Sequence, residues 1–185
     1  EVDTAQKMAD LEATYSKAES IVKLLEEIST QTVKLKDGST VTFEDLFKDL
    51  GNIEKNGGDV RGYLENLGVN VDEVIQKYNV WKESTRQLTS LIPSLSNVID
   101  EETGSIDGGT EALQRNLDEW KAAEEKKLAW AKYYAMARAV EEKKGQMYLY
   151  EYNAGTARQA AKKVRDQLEK DWNATFDEKG AITST

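Results

Sequence analysis

NVDEVIQKYNVWKESTRQLTSLIP, residues Asn70 to Pro93, encodes a helix with both of its ends marked. Asn70 has a side-chain oxygen suited to the free amides of a first helical turn, and Glu73 follows at the capping-box spacing. Val69 before the cap and Val74 after it are spaced as a hydrophobic staple. Val71, Val74, Tyr78, Trp81, Thr85, Leu88 and Ile92 then recur at intervals of 3-4-3-4-3-4, which puts them on one side of an α-helix. Pro93 has no amide to donate and stops it.

Towards the N-terminus, residues 3 to 30 predict a second long helix. Met8, Leu11, Tyr15, Ala18, Val22 and Leu25 are spaced 3-4-3-4-3, an a/d seam, and Ile21, Leu24 and Ile28 widen it enough for a bundle. Both seams, Met8, Leu11, Tyr15, Val22 and Leu25 on one helix and Val71, Val74, Tyr78, Trp81, Leu88 and Ile92 on the other, are candidates for packing or oligomer assembly. Between them Val33 and Leu35 alternate with polar residues, Asp37-Gly38 follows, and Val41 and Phe43 alternate again, which predicts a hairpin. Thr42 with Asp45 resembles a capping box for a short helix whose face is Phe43, Leu46, Phe47 and Leu50, and Gly51 is expected to end it. Asn56-Gly57-Gly58 reads as a turn, and Asp59 to Leu67 as a short helix closed by Gly68.

Beyond Pro93, Leu95, Val98 and Ile99 lead into Asp100-Glu101-Glu102-Thr103-Gly104-Ser105-Ile106, a second hairpin or tight turn. Phe176-Asp177-Glu178-Lys179-Gly180-Ala181-Ile182 echoes it near the end of the chain. Almost all of Thr110 to Trp172 is helix-forming. Unbroken, it would be roughly 90 Å long at about 1.5 Å per residue, and Gly145 and Gly155 are the places where it would bend or fold back. Leu113, Leu117 and Trp120 mark one face near its start. Trp130, Tyr133, Tyr134, Tyr148, Tyr150 and Tyr152 make an aromatic stretch. Amphipathic packing explains most such stripes; Trp130, Tyr134, Tyr148 and Tyr152 are its candidate partner face.

The 185 residues contain no histidine and no cysteine. That removes Ser-His and Cys-His nucleophiles, disulfides and the commonest zinc ligands. Asp100, Glu102 and Glu111 fall at EF-hand positions 1, 3 and 12, but Ser105 stands where the turn glycine belongs and Asp107 where an apolar residue does, so the segment reads as an acidic turn. Glu26/Glu27 and Glu101/Glu102 read as solvated surface, and neither Gly57-Gly58 nor Gly108-Gly109 has a phosphate-loop ending. No cofactor or metal is expected, and the chain reads as a structural or assembly segment, not an enzyme.

Charge is uneven. Residues 1–120 hold 12 Lys+Arg against 24 Asp+Glu, a net of −12, whereas residues 121–170 hold 12 against 7, a net of +5. This asymmetry orients self-assembly or a partner, and the acidic half opposes a nucleic-acid backbone, so nucleic-acid binding is not expected. No apolar run approaches the roughly 20 residues that span a bilayer, and the richest, Leu128 to Val140, contains Lys132 and Arg138. The absent initial methionine and polar last residues read as a segment of a longer protein.

Leu35-Lys36-Asp37-Gly38-Ser39-Thr40-Val41-Thr42 with its short acidic helix, Leu91-Ile92-Pro93-Ser94-Leu95 leading to Asp100–Ile106, and the helix from Thr110 through Asn116-Leu117-Asp118-Glu119-Trp120-Lys121 resemble internal regions of tail tape measure proteins. These belong to long-tailed bacteriophages and prophages of Gram-positive bacteria. The likeness covers roughly residues 30 to 150. It implies a role in tail assembly and length determination, association with tail tube, tail tip and tail assembly chaperone proteins, and a location in the virion tail after assembly in the host cytoplasm. Some relatives carry peptidase or cell-wall-cleaving modules, and nothing here matches one. A pure ruler would be one uninterrupted helix, so the two turns at Thr32–Phe43 and Ile99–Ile106 suggest a globular insert between rod-like parts.

The expected fold is mainly α: amphipathic helices, one or two small β-hairpins, and a long C-terminal helix or helical hairpin. The expected division is 1–109, a helical core with a small hairpin; 110–172, the long helix or hairpin; and 173–185, a tail or turn. The reading from a different class is a helical binding module of a bacterial surface or secreted protein.

Overall fold

The computed structural model describes the backbone of residues 4–152, 157–172, 175–176 and 182–184, and the side chains of 4–148 and 162–170. It is mainly α. In order come α1 (Thr4–Thr30), β1 (Thr32–Lys34), β2 (Thr40–Thr42), α2 (Phe43–Lys55), α3 (Val60–Leu67), α4 (Val71–Leu91), a 3₁₀ turn (Pro93–Asn97), α5 (Gly109–Tyr152), α6 (Ala157–Trp172), β3 (Thr175–Phe176) and β4 (Ile182–Ser184). By internal packing the chain divides into one compact unit, Met8–Glu124, and a second made of Glu1–Lys7 and Glu125–Thr185. The division falls inside α5, whereas the sequence reading set it before Thr110.

The helix ends of the first unit are made by the residues expected to make them. Asn70 accepts from the Glu73 amide, Asp59 from the Gly62 amide and Thr42 from the Asp45 amide, each taking up one donor of a first turn that has no partner inside its helix. Gly68 closes α3 in the left-handed conformation at φ 74°. In the hairpin Val33 pairs with Val41, and Gly38 turns the chain at φ 88°. The Lys36 amide donates to the Leu67 carbonyl, tying the hairpin loop to the end of α3.

One expectation is corrected, and one left open is decided. α2 does not end at Gly51 but runs on to Lys55. Gly51 is buried, and a Cβ there would lie 2.8 Å from that of Thr103, so glycine permits close approach of the Asp100–Ile106 turn. The 110–172 stretch is divided into two helices: α5 continues through Gly145, and α6 begins only at Ala157.

The core of the first unit joins more elements than the three helices expected to form it. Ala18, Val22 and Leu25 of α1, Phe43, Leu46, Phe47 and Leu50 of α2, and Val74, Tyr78, Trp81 and Leu88 of α4 are buried together. Leu64 of α3, Ile92, Leu95, Ile99 and Ile106 complete it, with Leu113 and Leu117 from the start of α5. Phe47 sits at its centre, its ring 5.5 Å from both Tyr78 and Trp81. The second hairpin is reduced to one antiparallel bridge, Ile99 with Ile106. Its echo is repeated in structure, because Phe176 of β3 pairs with Ile182 of β4 in the same sense.

Candidate functional site

The two sequence seams face inward. Leu11, Val22, Leu25, Val74, Tyr78, Trp81, Leu88 and Ile92 are buried in the chain's own core, while Met8, Tyr15 and Val71 are half-buried. Apolar surface already withdrawn from water within one copy cannot be buried again against another. The seams therefore hold the unit together, and any assembly surface lies elsewhere.

Three polar clusters fix the elements around that core. In the first, the Tyr15 hydroxyl lies 2.7 Å from Glu19 Oε2 and 2.8 Å from Asp118 Oδ1, so its single proton serves two carboxylates. Those hydrogen bonds hold the tyrosine well above its ordinary range and the Glu19 carboxyl below its own. Lys121 sits 4.4 Å from the centre of the Tyr15 ring and 3.3 Å from Glu12 Oε1. Glu12 thus meets Lys121 while Tyr15 meets Asp118, so α1 and the first part of α5 run antiparallel.

In the second cluster Tyr78 donates to Glu54 Oε2 at 2.8 Å, and Lys82 Nζ reaches both Glu54 oxygens at 3.1 Å. Partial burial would push the Glu54 carboxyl up, but the bonds from Tyr78 and Lys82 outweigh it and the net shift is downward. Burial first, then the bond to Glu54, raises Tyr78 well above its ordinary range. The third cluster is the acidic turn. Asp100 Oδ1 accepts from the Glu102 and Thr103 amides, Lys55 lies 3.9 Å from the carboxylates of Asp100 and Glu102, and Trp81 Nε1 donates to the Gly104 carbonyl at 2.7 Å. Asp100 therefore caps its own loop, which is structural work for the residue at EF-hand position 1. Among the described residues no three acidic side chains come together as a metal site.

A cavity of about 220 Å³ lies between the α2 N-terminus and the Gly108-Gly109 bend, beside Glu44, Trp81 and Thr103. Burial raises the Glu44 carboxyl there. Among the described residues every buried side-chain nitrogen and oxygen has a hydrogen-bond partner, so no unsatisfied group points into the cavity.

The candidate partner face is exposed where it is described. Trp130, Tyr134 and Tyr148 are 51%, 60% and 71% accessible. Trp130 stacks on Tyr134 at 5.9 Å and meets Tyr133 edge-on at 5.8 Å. Tyr148 lies about 27 Å beyond Trp130 along α5, near its azimuth by helical periodicity. The Tyr152 side chain lies outside the described residues. A second exposed apolar place was not singled out from the sequence: Leu24 of α1 and Val80 of α4, at 41% and 42%, with Ile75, line a shallow groove between the two helices. By its spacing Leu24 belongs to the widened core stripe, and Val80 falls between the seam positions. Periodicity alone gave no sign that they would meet at the surface.

The chain matches no family model, and neither the curated proteins nor the solved structures give a match to it. No described helix is long and apolar enough to cross a membrane.

Proposed function

We propose that the chain is a non-catalytic structural segment of a tail tape measure protein from a long-tailed phage or prophage of Gram-positive bacteria. The carrying observation is the antiparallel pairing of α1 with α5 through Tyr15–Asp118 and Glu12–Lys121. It brings the two chain ends of the Met8–Glu124 unit to one side. A unit whose two ends lie together suits an insert in a longer chain, as the two turns suggested. The order of motifs over residues 30 to 150 supports the same reading. On it, the chain lies in the virion tail after assembly in the host cytoplasm and contacts the tail tube, tail tip and assembly chaperones.

The test is an in-frame deletion of Met8–Glu124 from the phage gene, with tail length measured by electron microscopy and the polypeptide sought in purified tails. As a straight helix the deleted segment would account for roughly 175 Å at about 1.5 Å per residue. As an insert it contributes far less, so intact tails of nearly unchanged length are expected. Absence of the parent polypeptide from purified tails refutes the assignment. The exposed aromatics of α5 favour one alternative, a helical binding module of a bacterial surface or secreted protein; a signal peptide or sortase-type anchor in the parent gene would decide for it.

A further inference from the structure

Asn56 alone among the asparagines of the chain is followed by glycine; isoleucine, leucine, valine or alanine follows each of the others. A glycine amide nitrogen has no side chain beside it and is free to attack the carbonyl carbon of the asparagine side chain before it. The pair is exposed to water at the end of α2, but the fold holds it in a Schellman cap. The Gly57 amide donates to the Glu54 carbonyl at 3.1 Å and the Gly58 amide to the Ile53 carbonyl at 2.8 Å, with Gly57 left-handed at φ 72°. Ring closure needs the Gly57 nitrogen and the Asn56 Cβ on the same side of the Cα–C bond, and at the Asn56 ψ of 7° they point apart. Turning that bond to bring them together carries both amides off their carbonyls. Packing closes the same end, because a Cβ on Gly58 would lie 2.7 Å from Ile53 Cγ2.

We propose that Asn56 is a self-modification site gated by the end of α2: it deamidates when the last turn opens, and the product then keeps that turn open. The Gly57 nitrogen attacks Asn56 Cγ, the new C–N bond replaces the bond to Nδ2, and Nδ2 leaves as ammonia with the proton that Gly57 gives up. Water then adds to one of the two carbonyl carbons of the cyclic imide and breaks its bond to nitrogen. Opening at Cγ gives aspartate. Opening at the main-chain carbonyl gives isoaspartate, which lengthens the main chain by a methylene. Either product sets a carboxylate at the negative end of α2. Isoaspartate also displaces the Gly57 and Gly58 amides from the Glu54 and Ile53 carbonyls. The two residues before Asn56 carry the ties of α2, Glu54 to Tyr78 and Lys82, and Lys55 to Asp100 and Glu102. Conversion therefore loosens α2 from α4 and from the acidic turn, in one direction only. The inference rests on this helix end and not on the phage assignment, and either can fail alone.

The test incubates the complete chain at mildly alkaline pH, folded in one sample and unfolded in guanidinium chloride in another. Peptide mass spectrometry follows the amide-to-acid mass gain at Asn56. Conversion is expected in both, slower in the folded chain by about ten-fold or more, because only the fraction with an open helix end reacts. Gly58→Ala, whose Cβ meets Ile53, should raise the folded rate by roughly three-fold or more at an unchanged circular dichroism spectrum. If that spectrum changes, amide exchange of Gly57 and Gly58 in the unsubstituted chain reads the same opening, with protection of about ten-fold or more expected. The aged chain is then compared with Asn56→Asp, which has the charge without the longer main chain. Amides from Ile53 to Gly58 should exchange faster in the aged chain. Equal rates in the folded and unfolded samples, or no conversion in either, overturn the proposal. So do unprotected Gly57 and Gly58 amides, a folded rate that Gly58→Ala leaves unchanged with its spectrum intact, or an aged chain as well protected as Asn56→Asp.

Discussion

At Gly51 a methyl group has no free space. The position is inside α2, where replacing glycine by alanine normally contributes about 0.5–1 kcal/mol by restricting the unfolded chain. Here the new Cβ would lie 2.8 Å from the Thr103 Cβ and 3.3 Å from its Cγ2. Thr103 is itself held, its amide by Asp100 and its hydroxyl by the Ser105 amide. Overpacking of such a contact costs about 1–3 kcal/mol. Gly51→Ala is therefore expected to lower stability by about 1–2 kcal/mol in urea unfolding; a gain would mean that the Asp100–Ile106 turn yields freely. The reason for this glycine lies some fifty residues away, which is why reading the local sequence mistook a close approach for a helix end.

On the scale of the elements, the same substitution has the opposite sign at Gly145. It sits within α5 with nothing within 4 Å of an added Cβ, so only helix propensity acts. Gly145→Ala should stabilise that part of the helix by about 0.5–1 kcal/mol, seen as slower amide exchange from Glu141 onward; faster exchange would show that α5 depends on a bend there. Element boundaries were legible wherever a side chain caps its own neighbourhood, as at Thr42, Asp59, Asn70 and Pro93. Partners were not legible. The spacing of Leu11, Val22 and Leu25 specifies a buried stripe without saying what covers it, so the seams suited an oligomer as well as the core that they form. Aromatic composition picked out the α5 face. The groove escaped because Leu24 and Val80 come together only when α1 and α4 do.

For the molecule as a whole, ionisable groups set a pH window. Glu54 and Glu19 titrate below the ordinary 4.5 and Asp37 below 3.8. A lowered carboxyl contributes stability above its unfolded value that is lost as pH falls through the folded one. Glu44, raised by burial, acts in the opposite sense, and its cost at neutral pH is relieved on protonation. Tyr15, Tyr63 and Tyr78 are raised above 10.0, so their contribution is complete below pH 10 and declines as pH rises further. The melting temperature should form a plateau between about pH 5 and 10 and fall on either side. Glu54→Gln should flatten part of the acid limb, and Tyr15→Phe/Tyr78→Phe part of the alkaline one. An alkaline limb untouched by the double substitution would refute the tyrosine assignments.

The antiparallel clamp between α1 and α5 also has a mechanical consequence. Tension applied through the two ends of the Met8–Glu124 unit enters it at adjacent points, beside Glu12 and Lys121. The load then peels the two helices apart one contact at a time, Glu12–Lys121 before Tyr15–Asp118. A unit loaded in this direction yields more easily than one sheared along its length. Once open, it releases on the order of 400 Å of extended chain at about 3.4 Å per residue.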